Sequence, residues 1–276
     1  MIVVDKVEID VSKSLLLSQG KYLDGYSKIY YKSNENLKKI FKNFSVKEKE
    51  VLTVLSSSDQ YFYAYYLGAK KVDSFDCNKL CEYYFYLRKW LIEFKSEFHF
   101  SKEEMLLNND WLYNLLRAVK CYTKEEKDAY RYWLSYLKFL KMPISRNLFY
   151  FNSEDEEQLI SDIKKLKRKL ENTEFDFKYL NICHNIDIKK KYDVIILSNI
   201  LETLTFHKNS IIKCRDNLES ILKDDGIIVA SHLMNRSGDY YEMDIFKEVF
   251  EVEEFPYCKT KDSLESVPVG CCYRKK

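Results

Sequence analysis

Short apolar runs alternate with amphipathic segments along most of the chain, which is the pattern of an α/β protein. The β-branched run at 51–55 predicts a buried strand, and the sequence KKVDSFD predicts a second strand that ends at Asp76. Between them, residues 59–67 have the apolar spacing of a helix, with Gly68 as its stop signal. A long aromatic helix is predicted over 78–98.

The same alternation resumes in the second half of the chain. The sequences FKYLNIC, YDVIILSNI and DGIIVASHL predict three more strands, with a helix over KNSIIKCRDNLESILKD before the last of them. After a helix over YYEMDIFKEVF, the sequences EVEEFPYC and SVPVGCCYRKK predict an antiparallel hairpin at the edge of the sheet. Strands that alternate with helices form parallel sheets with helices on both faces. We therefore predict a doubly wound, Rossmann-like α/β sheet that is mostly parallel.

Two segments fall outside this alternation. Residues 10–44 have helical spacing and predict an N-terminal helical cap within residues 1–50. Residues 99–151 predict a helical insertion, which we place on the substrate side of the fold. The core then comprises residues 51–98 and 152–276, and we expect the whole chain to form a single domain.

Composition narrows the range of functions. Lys and Arg number 45 and Asp and Glu 43, and this formal charge of +2 gives no support to bulk nucleic-acid binding. The four histidines are scattered and the eight cysteines form no CxxC pair, so no metal site is predicted. The N-terminus has acidic residues where a signal peptide needs an apolar core, and no run has the length of a membrane span. We expect a cytoplasmic protein with reduced thiols and no transmembrane segment, and the oligomeric state stays open.

The candidate chemistry lies where the first two strands end. Ligands of doubly wound sheets bind beyond the carboxyl ends of the strands, at the switch in strand order. The loop SSSDQ follows the first strand, and its backbone N–H groups and hydroxyls would hold a carboxylate and an ammonium group. Asp76 ends the second strand, where an acidic side chain can accept both hydroxyls of a ribose.

The loop contains no glycine, and this feature selects among adenosine cofactors. A dinucleotide needs glycine there so that its pyrophosphate can approach the backbone, which argues against NAD or FAD. S-adenosylmethionine carries no phosphate, and its amino-acid end tolerates serine. We therefore predict S-adenosylmethionine as the cofactor and keep a nicotinamide oxidoreductase as an alternative.

These motifs resemble the class I S-adenosylmethionine-dependent methyltransferase superfamily. Within it, residues 51–80 resemble the S-adenosylmethionine:diacylglycerol 3-amino-3-carboxypropyl transferases of betaine-lipid synthesis. SSSDQ corresponds to the Ser/Gly-Asp-Asn/Gln loop of that family, and DCN corresponds to the Asp-x-Asn motif at the end of its second strand. YDVIILSNILETL is similar to the strand-four motif of that family, and YRYW to its aromatic-Trp segment. The chain departs from the family where a loop glycine is usual, and it is short for the lipid enzymes.

The resemblance implies a role for the polar residues that follow strands one to four. Those expected to bind the cofactor are Ser56, Ser57, Ser58, Asp59, Asp76, Cys77, Asn78, His184, Asn185 and Ser198. The serine loop would hold the methionine end and Asp76 the ribose, while the residues after Asp76 and after strand three would meet the adenine. Asn199 and Glu202 follow strand four and are the expected catalytic residues, orienting the acceptor and taking its proton.

Aromatic residues of the cap and the insertion are expected to contact the substrate, namely Tyr26, Tyr30, Tyr132 and Trp133. These groups also have structural interpretations. The tyrosines of the cap would pack the N-terminal helix against the sheet, and the serine loop and the Ser198–Asn199 pair would cap helices.

We predict methyl transfer from S-adenosylmethionine to an unidentified small-molecule or lipid acceptor. Transfer of the 3-amino-3-carboxypropyl group is the first alternative, because it is the reaction of the family that the motifs resemble. A non-catalytic cofactor-binding or scaffold protein is the second alternative, because the loop lacks glycine and no residue is an unmistakable base.

Overall fold

The structure is a computed structural model that describes residues 5–19, 21, 23–94, 110–139, 149–150, 163–171, 173–204, 208–232, 241–256 and 269–276. The chain divides into two compact units. The sheet unit comprises residues 34–54, 60–75 and 173–276, and the helical unit comprises residues 1–33, 55–59 and 76–172. The single-domain organisation expected from the sequence stays a prediction.

The elements alternate much as the sequence predicts. In chain order they are α1 (Lys6–Ser18), β1 (Ile29–Tyr30), α2 (Leu37–Ile40), β2 (Glu50–Val54), α3 (Asp59–Tyr66), β3 (Lys71–Asp76), α4 (Leu80–Phe94), α5 (Asp110–Ala118), α6 (Lys124–Phe139), β4 (Phe149–Tyr150), α7 (Ile163–Leu170), β5 (Asp176–Tyr179), β6 (Tyr192–Ser198), α8 (Ile200–Thr203), α9 (Lys208–Ile221), β7 (Leu222–His232), α10 (Tyr241–Lys247), β8 (Phe250–Pro256) and β9 (Val269–Lys275).

The sheet unit contains seven strands in the order β5-β3-β2-β6-β7-β9-β8. β2 pairs in parallel with β3 and with β6, and β6 pairs in parallel with β7. The last strand, β9, runs antiparallel between β7 and β8. This arrangement confirms the doubly wound, mostly parallel Rossmann-like sheet and has the strand order of the class I methyltransferase fold. The order reverses between β2 and β6, which is the switch point at which such sheets bind ligands.

Burial in the sheet core explains why the strands could be predicted from the sequence. Residues 51–54 of β2 are all buried, so the strand forms a continuous apolar run, as expected for a central strand of a parallel sheet. α9 contributes Ile211, Cys214, Leu218 and Ile221 to the same core, at the spacing of one helix face. Full burial of each large apolar side chain stabilises the fold by about 1.5–3 kcal/mol.

Two details of the sheet correct the sequence analysis. The strand predicted over DGIIVASHL begins earlier than expected, because β7 starts at Leu222 and its register with β6 shifts between Leu222 and Ile227. A Cβ on Gly226 would lie 2.8 Å from Leu222 Cδ1 and 3.0 Å from Lys223 O, so a larger residue here would displace its neighbours. The predicted terminal hairpin is antiparallel, but only β8 lies at the edge, because β9 pairs with β7 as well.

The N-terminal cap in the helical unit is not a continuous helix, which corrects the prediction for residues 10–44. α1 ends at Ser18, and Gly25 has a φ of 72° in a turn between the bridged residues Leu23 and Tyr26. An Asp-Gly pair favours such a turn over helix, and here it outweighs the helical spacing. β1 then pairs in parallel with β4.

The insertion contains two of the predicted helices, α5 and α6, but residues 149–150 form β4 instead of helix. The predicted positions 95–109, 140–148 and 151–162 lie outside the described residues. In the ranges that are described, no helix combines the length and the apolar character needed to cross a bilayer.

Candidate functional site

The serine loop, Ser56–Asp59, follows β2 and leads into α3. Two of its serines have left-handed backbone, with φ of 43° at Ser56 and 69° at Ser58. Ser58 N donates to Leu55 O at 2.5 Å and closes the turn. Left-handed φ costs a residue with a Cβ roughly 1–2 kcal/mol, and glycine is the usual residue there. The loop thus has the backbone of a glycine-rich turn although its sequence contains no glycine.

A buried ion pair fixes the loop at Asp59. Arg88 Nη2 donates to Asp59 Oδ1 at 2.8 Å, and Arg88 Nη1 donates to Ser57 O at 3.0 Å. The other oxygen, Asp59 Oδ2, accepts from Ser57 Oγ at 2.8 Å and from Ser33 N at 2.6 Å. Burial lowers the pKa of Arg88, but the Asp59 carboxylate outweighs burial and raises this pKa overall. Both oxygens of Asp59 therefore have protein donors, and its contact with a cofactor stays a prediction.

Asp76, the last residue of β3, is bonded to the same loop. Its Oδ2 accepts from Ser56 N at 2.9 Å, and its Oδ1 accepts from Asn78 N at 2.8 Å. Asp76 is buried, and burial raises the pKa of its carboxyl even though these donors and the Cys81 thiol lower it in part. The acid thus lies directly beside the serine loop, where a ribose-binding carboxylate is expected, and the ribose contact itself is untested.

The two residues after Asp76 differ in accessibility, because Cys77 is exposed and Asn78 is buried. Asn78 Nδ2 donates to Ser27 O at 2.9 Å, and its Oδ1 accepts from Ser27 N and Leu80 N, each at 3.2 Å. Asn78 therefore bonds both to Leu80, the first residue of α4, and to Ser27 of the N-terminal segment. Of the two residues predicted at the adenine edge, only Cys77 presents an accessible side chain.

Ser58 carries a buried polar atom without a partner. The residue is fully buried, and its Oγ forms no hydrogen bond to any group in the described part of the chain. Leaving a buried hydroxyl unpaired costs about 1–3 kcal/mol, which a polar ligand atom at the loop would offset. α3 begins at the next residue, so its first backbone N–H groups have no acceptor within the helix. The start of a helix beside a buried hydroxyl suits a carboxylate, which fits the amino-acid end of S-adenosylmethionine.

β6, the neighbour of β2 in the sheet unit, also ends in a strained serine. Ser198 has a φ of 55°, and its Oγ lies 3.4 Å from Asn199 Oδ1. Asn199 precedes α8 but makes no side-chain capping bond, so the capping interpretation is not met. Asn199 and Glu202 are both half-buried. The catalytic roles of Asn199 and Glu202, and the cofactor role of Ser198, remain predictions.

The loop after β5 presents His184 and Asn185 at the surface. Asn217 of α9 fastens this loop, since its Nδ2 donates to Ile182 O at 2.7 Å and to His184 O at 2.6 Å. The backbone is thus fixed while both predicted adenine-contacting side chains are accessible. Their contact with adenine is not tested by this geometry.

The aromatic residues expected to contact the substrate lie in the helical unit, and Tyr26 is engaged there. Tyr26 OH and Tyr83 OH donate to the two oxygens of the buried Asp10 carboxylate, at 2.5 and 2.6 Å. Burial and this neighbouring carboxylate raise the pKa of Tyr83. Tyr30, by contrast, is half-buried in β1.

Tyr132 and Trp133 are fully buried on α6. Tyr132 OH shares a hydrogen bond of 2.7 Å with Ser14 Oγ, and its ring stacks on Tyr83 with 4.2 Å between centroids. Trp133 Nε1 donates to Tyr83 O at 2.9 Å. These contacts give both residues a structural role inside the helical unit. Among the four aromatic residues proposed to meet the substrate, Tyr30 is the most accessible.

Two buried charged residues, Arg88 and Glu35, were not predicted from the sequence. Arg88 lies in the long aromatic helix predicted over 78–98, and its only signal there is that a basic residue falls among aromatic and apolar ones. Glu35 lies in the sheet unit, where its carboxylate accepts from Gln60 Nε2 at 2.8 Å and from Ser231 Oγ. Nothing local in the sequence around Glu35 predicts this burial.

Comparison with known proteins found similarity only among solved structures. No protein-family model matches the sequence, and no curated protein matches it. The chain is similar to the N-methyltransferase NodS from Bradyrhizobium japonicum WM9 in complex with S-adenosyl-L-homocysteine, at 8% identity and a TM-score of 0.46 over 98% of this chain and 99% of that one. It is also similar to a TehB-like SAM-dependent methyltransferase from Corynebacterium glutamicum ATCC 13032, at 8% identity and a TM-score of 0.45 over 98% of each chain.

A third similar structure is the ribosomal protein L11 methylase from Lactobacillus delbrueckii subsp. bulgaricus, at 13% identity and a TM-score of 0.40, over 87% of this chain and 76% of that one. Similarity at these levels carries no activity over to this chain. The fold assignment rests on the strand order of the sheet unit.

Proposed function

We propose that the chain is an S-adenosylmethionine-dependent methyltransferase that acts on a small-molecule or lipid acceptor. The observation that carries the proposal is the left-handed backbone of Ser56 and Ser58, with φ of 43° and 69°, directly after β2. Strained backbone of this kind persists where the surroundings fix it, and it concentrates at ligand and active sites. β2 lies at the switch point of the sheet, which is the expected ligand position.

The residues of the serine loop and of the neighbouring strand ends would divide the cofactor between them. The methionine carboxylate would lie against the N–H groups at the start of α3 and the unpaired Oγ of Ser58. Asp76 would accept from a ribose hydroxyl, since it already accepts hydrogen bonds beside the loop. Cys77 is exposed in the helical unit and would border the adenine, and the adenine roles of His184 and Asn185, exposed in the sheet unit, rest on the sequence resemblance alone.

S-adenosylmethionine supplies a methyl group activated by its sulfonium. The chain would therefore contribute positioning and exclusion of water, not a covalent intermediate. Asn199 would orient the acceptor through its side-chain amide, and Glu202 would take the acceptor proton. Both follow β6, which lies beside β2 in the sheet.

Product analysis tests the proposal. The full-length protein is incubated with S-adenosylmethionine and a panel of small polar and lipid acceptors, and the adenosine products are separated. We expect S-adenosylhomocysteine; methylthioadenosine would instead indicate 3-amino-3-carboxypropyl transfer and would correct the reaction type. Glu202→Gln should slow product formation about 100-fold, as for loss of a general base. The matched control is Glu251→Gln, which changes an exposed carboxylate of β8. No adenosine product with any acceptor would contradict the proposal.

A further inference from the structure

The serine loop has a left-handed backbone that serine residues disfavour. Ser56 and Ser58 both have positive φ, and they are separated by one residue. Serine disfavours this region because its Cβ crowds the following carbonyl, whereas glycine has no Cβ. A loop of this sequence would relax to negative φ unless contacts from outside the loop fix it.

Arg88 makes the contacts that bracket the strained residue. Its Nη1 donates to Ser57 O at 3.0 Å, on one side of Ser58, and its Nη2 donates to Asp59 Oδ1 at 2.8 Å, on the other side. The guanidinium is planar and its donors have a fixed geometry, so two bonds from one group fix the distance between their acceptors. Arg88 therefore restrains the backbone on both sides of Ser58.

The acceptor side of this contact is restrained as well. Asp59 Oδ2 accepts from Ser57 Oγ at 2.8 Å and from Ser33 N at 2.6 Å. The side chains of Arg88 and Asp59 are 1% and 4% exposed. Because the pair is deeply buried and both carboxylate oxygens accept from protein donors, it restrains the conformation of the serine loop.

We infer that Arg88 is a positioning residue that, together with Asp59, substitutes for the conformational freedom of the missing glycines. In this arrangement Arg88 of α4 and Asp59 at the start of α3 hold Ser58 in its left-handed conformation. The inference concerns the unliganded loop, and it rests on the proposed function only for its consequence, which is that a preorganised turn presents its N–H groups to the cofactor. A loop with glycine at positions 56 and 58 should not need Arg88.

A four-variant cycle in the full-length chain tests this inference without any ligand. Asp59→Asn and Arg88→Met are introduced together, so that no buried charge is left unpaired. This double substitution is made in the natural loop and, separately, in a loop that carries Ser56→Gly and Ser58→Gly. Amide hydrogen exchange of the peptide that contains residues 55–59 is measured by mass spectrometry, with global unfolding followed in parallel. If circular dichroism shows the Asn/Met variant to be unfolded, Arg88→Lys takes its place in the same cycle.

In the natural loop, removing the ion pair should accelerate exchange of the loop amides at least about tenfold, because Ser58 is freed to leave left-handed φ. In the glycine loop the same change should accelerate exchange less than about threefold, because glycine occupies that region without strain. The control removes the half-exposed pair Asp5–Arg131 by Asp5→Asn with Arg131→Met, and it should leave exchange of the loop unchanged.

Equal acceleration in the serine and glycine loops, or no acceleration in the serine loop, would overturn the inference. Titration with S-adenosylmethionine forms a separate arm of the experiment. If the wild-type chain binds no S-adenosylmethionine, the proposed function fails while the exchange cycle still decides the role of Arg88.

Discussion

Two serine turns in this molecule look alike in the backbone and differ in what fixes them. The serine loop after β2 and the turn after β6 both place serine at positive φ just before a helix, at Ser56 and Ser58 in one case and at Ser198 in the other. The first turn is fixed by the buried pair of Arg88 and Asp59. In the second, the bond from Ser198 to Asn199 is long, at 3.4 Å, and Asn199 makes no capping bond.

The difference suggests a division of labour between the two turns. A turn restrained from outside keeps one geometry and suits a cofactor that is the same in every catalytic cycle. A turn with few fixed side chains can adapt to an acceptor. On the proposed function, the β2 turn would bind S-adenosylmethionine and the β6 turn would meet the acceptor, and the variants below test this contrast.

The largest effect is expected from breaking the ion pair on one side only. Arg88→Met leaves the Asp59 carboxylate buried without its cation, so the free energy of unfolding should fall by about 3–5 kcal/mol. Urea denaturation measures this change. Arg131→Met, which breaks a half-exposed pair with Asp5, is the matched control and should cost less than about 1 kcal/mol. A similar decrease in the free energy of unfolding in both variants would mean that the buried Arg88–Asp59 pair stabilises the fold no more than the half-exposed pair does.

The next effect concerns the ligand at the β2 turn. Asp76→Ala removes a carboxylate that would accept from the ribose, and hydrogen bonds to charged groups contribute about 1.5–3 kcal/mol. Affinity for S-adenosylmethionine, measured by calorimetry, should fall about 10- to 100-fold. Asp224→Ala, which changes an almost fully exposed carboxylate, is the control. Unchanged affinity in Asp76→Ala would refute the ribose assignment.

The pH dependence of binding sharpens the same assignment. Burial raises the pKa of Asp76 above its ordinary 3.8, so the folded protein protonates this carboxyl at a higher pH than the unfolded chain does. Protonation removes an acceptor, and affinity should therefore decrease as pH falls through the raised pKa, by up to about tenfold per pH unit. Calorimetry at a series of decreasing pH values follows this change, and Asp76→Asn should flatten the profile.

The contribution of Asp76 to folding stability depends on pH in the opposite direction from its contribution to binding. The folded state holds the proton of Asp76 more tightly than the unfolded state does, because the folded pKa is the higher one. The stability contributed by this group is therefore largest at low pH and is lost as pH rises through the folded pKa. A pH optimum of stability that shifts upward in Asp76→Asn would agree with this sign, and a downward shift would contradict it.

The smallest effect comes from glycine at the strained serines themselves. Ser58→Gly or Ser198→Gly relieves a left-handed φ but adds flexibility to the unfolded chain, so each should raise the free energy of unfolding by at most about 1 kcal/mol. The control is Ser12→Gly on the exposed face of α1, which should lower it by roughly 0.5 kcal/mol. Chemical denaturation measures all three. Destabilisation by glycine at both turns would show that φ strain is absent there.

The fold was largely predictable because its signals are local. The strands β2 and β6 are buried along most of their length, so each forms a short, mostly apolar run that hydropathy detects. The predictions of secondary structure and strand order were wrong where contacts between residues distant in sequence, or a local turn, determine the structure. β9 lies between β7 and β8 because of pairing across the sheet, and the Asp24-Gly25 turn outweighed the helical spacing of its neighbours.

The candidate site was predictable in position more than in detail. Polar residues after β2, β3 and β6 follow from the rule that ligands bind at the carboxyl ends of parallel strands. The roles of Asp59 and Asn78 depend on partners far away in sequence, Arg88 and Ser27, which no local pattern identifies. The burial of Tyr132 and Trp133 depends in the same way on the packing of α6 against α4.

The most direct test of the central claim is calorimetric titration of S-adenosylmethionine into the wild-type chain and into Asp76→Ala. The account predicts saturable heat for one site per chain in the wild type, and an affinity about 10- to 100-fold weaker in the variant. Circular dichroism and thermal melting establish that both proteins are folded. No binding by a folded wild-type chain, or equal binding by the two proteins, would contradict the claim that the serine loop and Asp76 form a cofactor site.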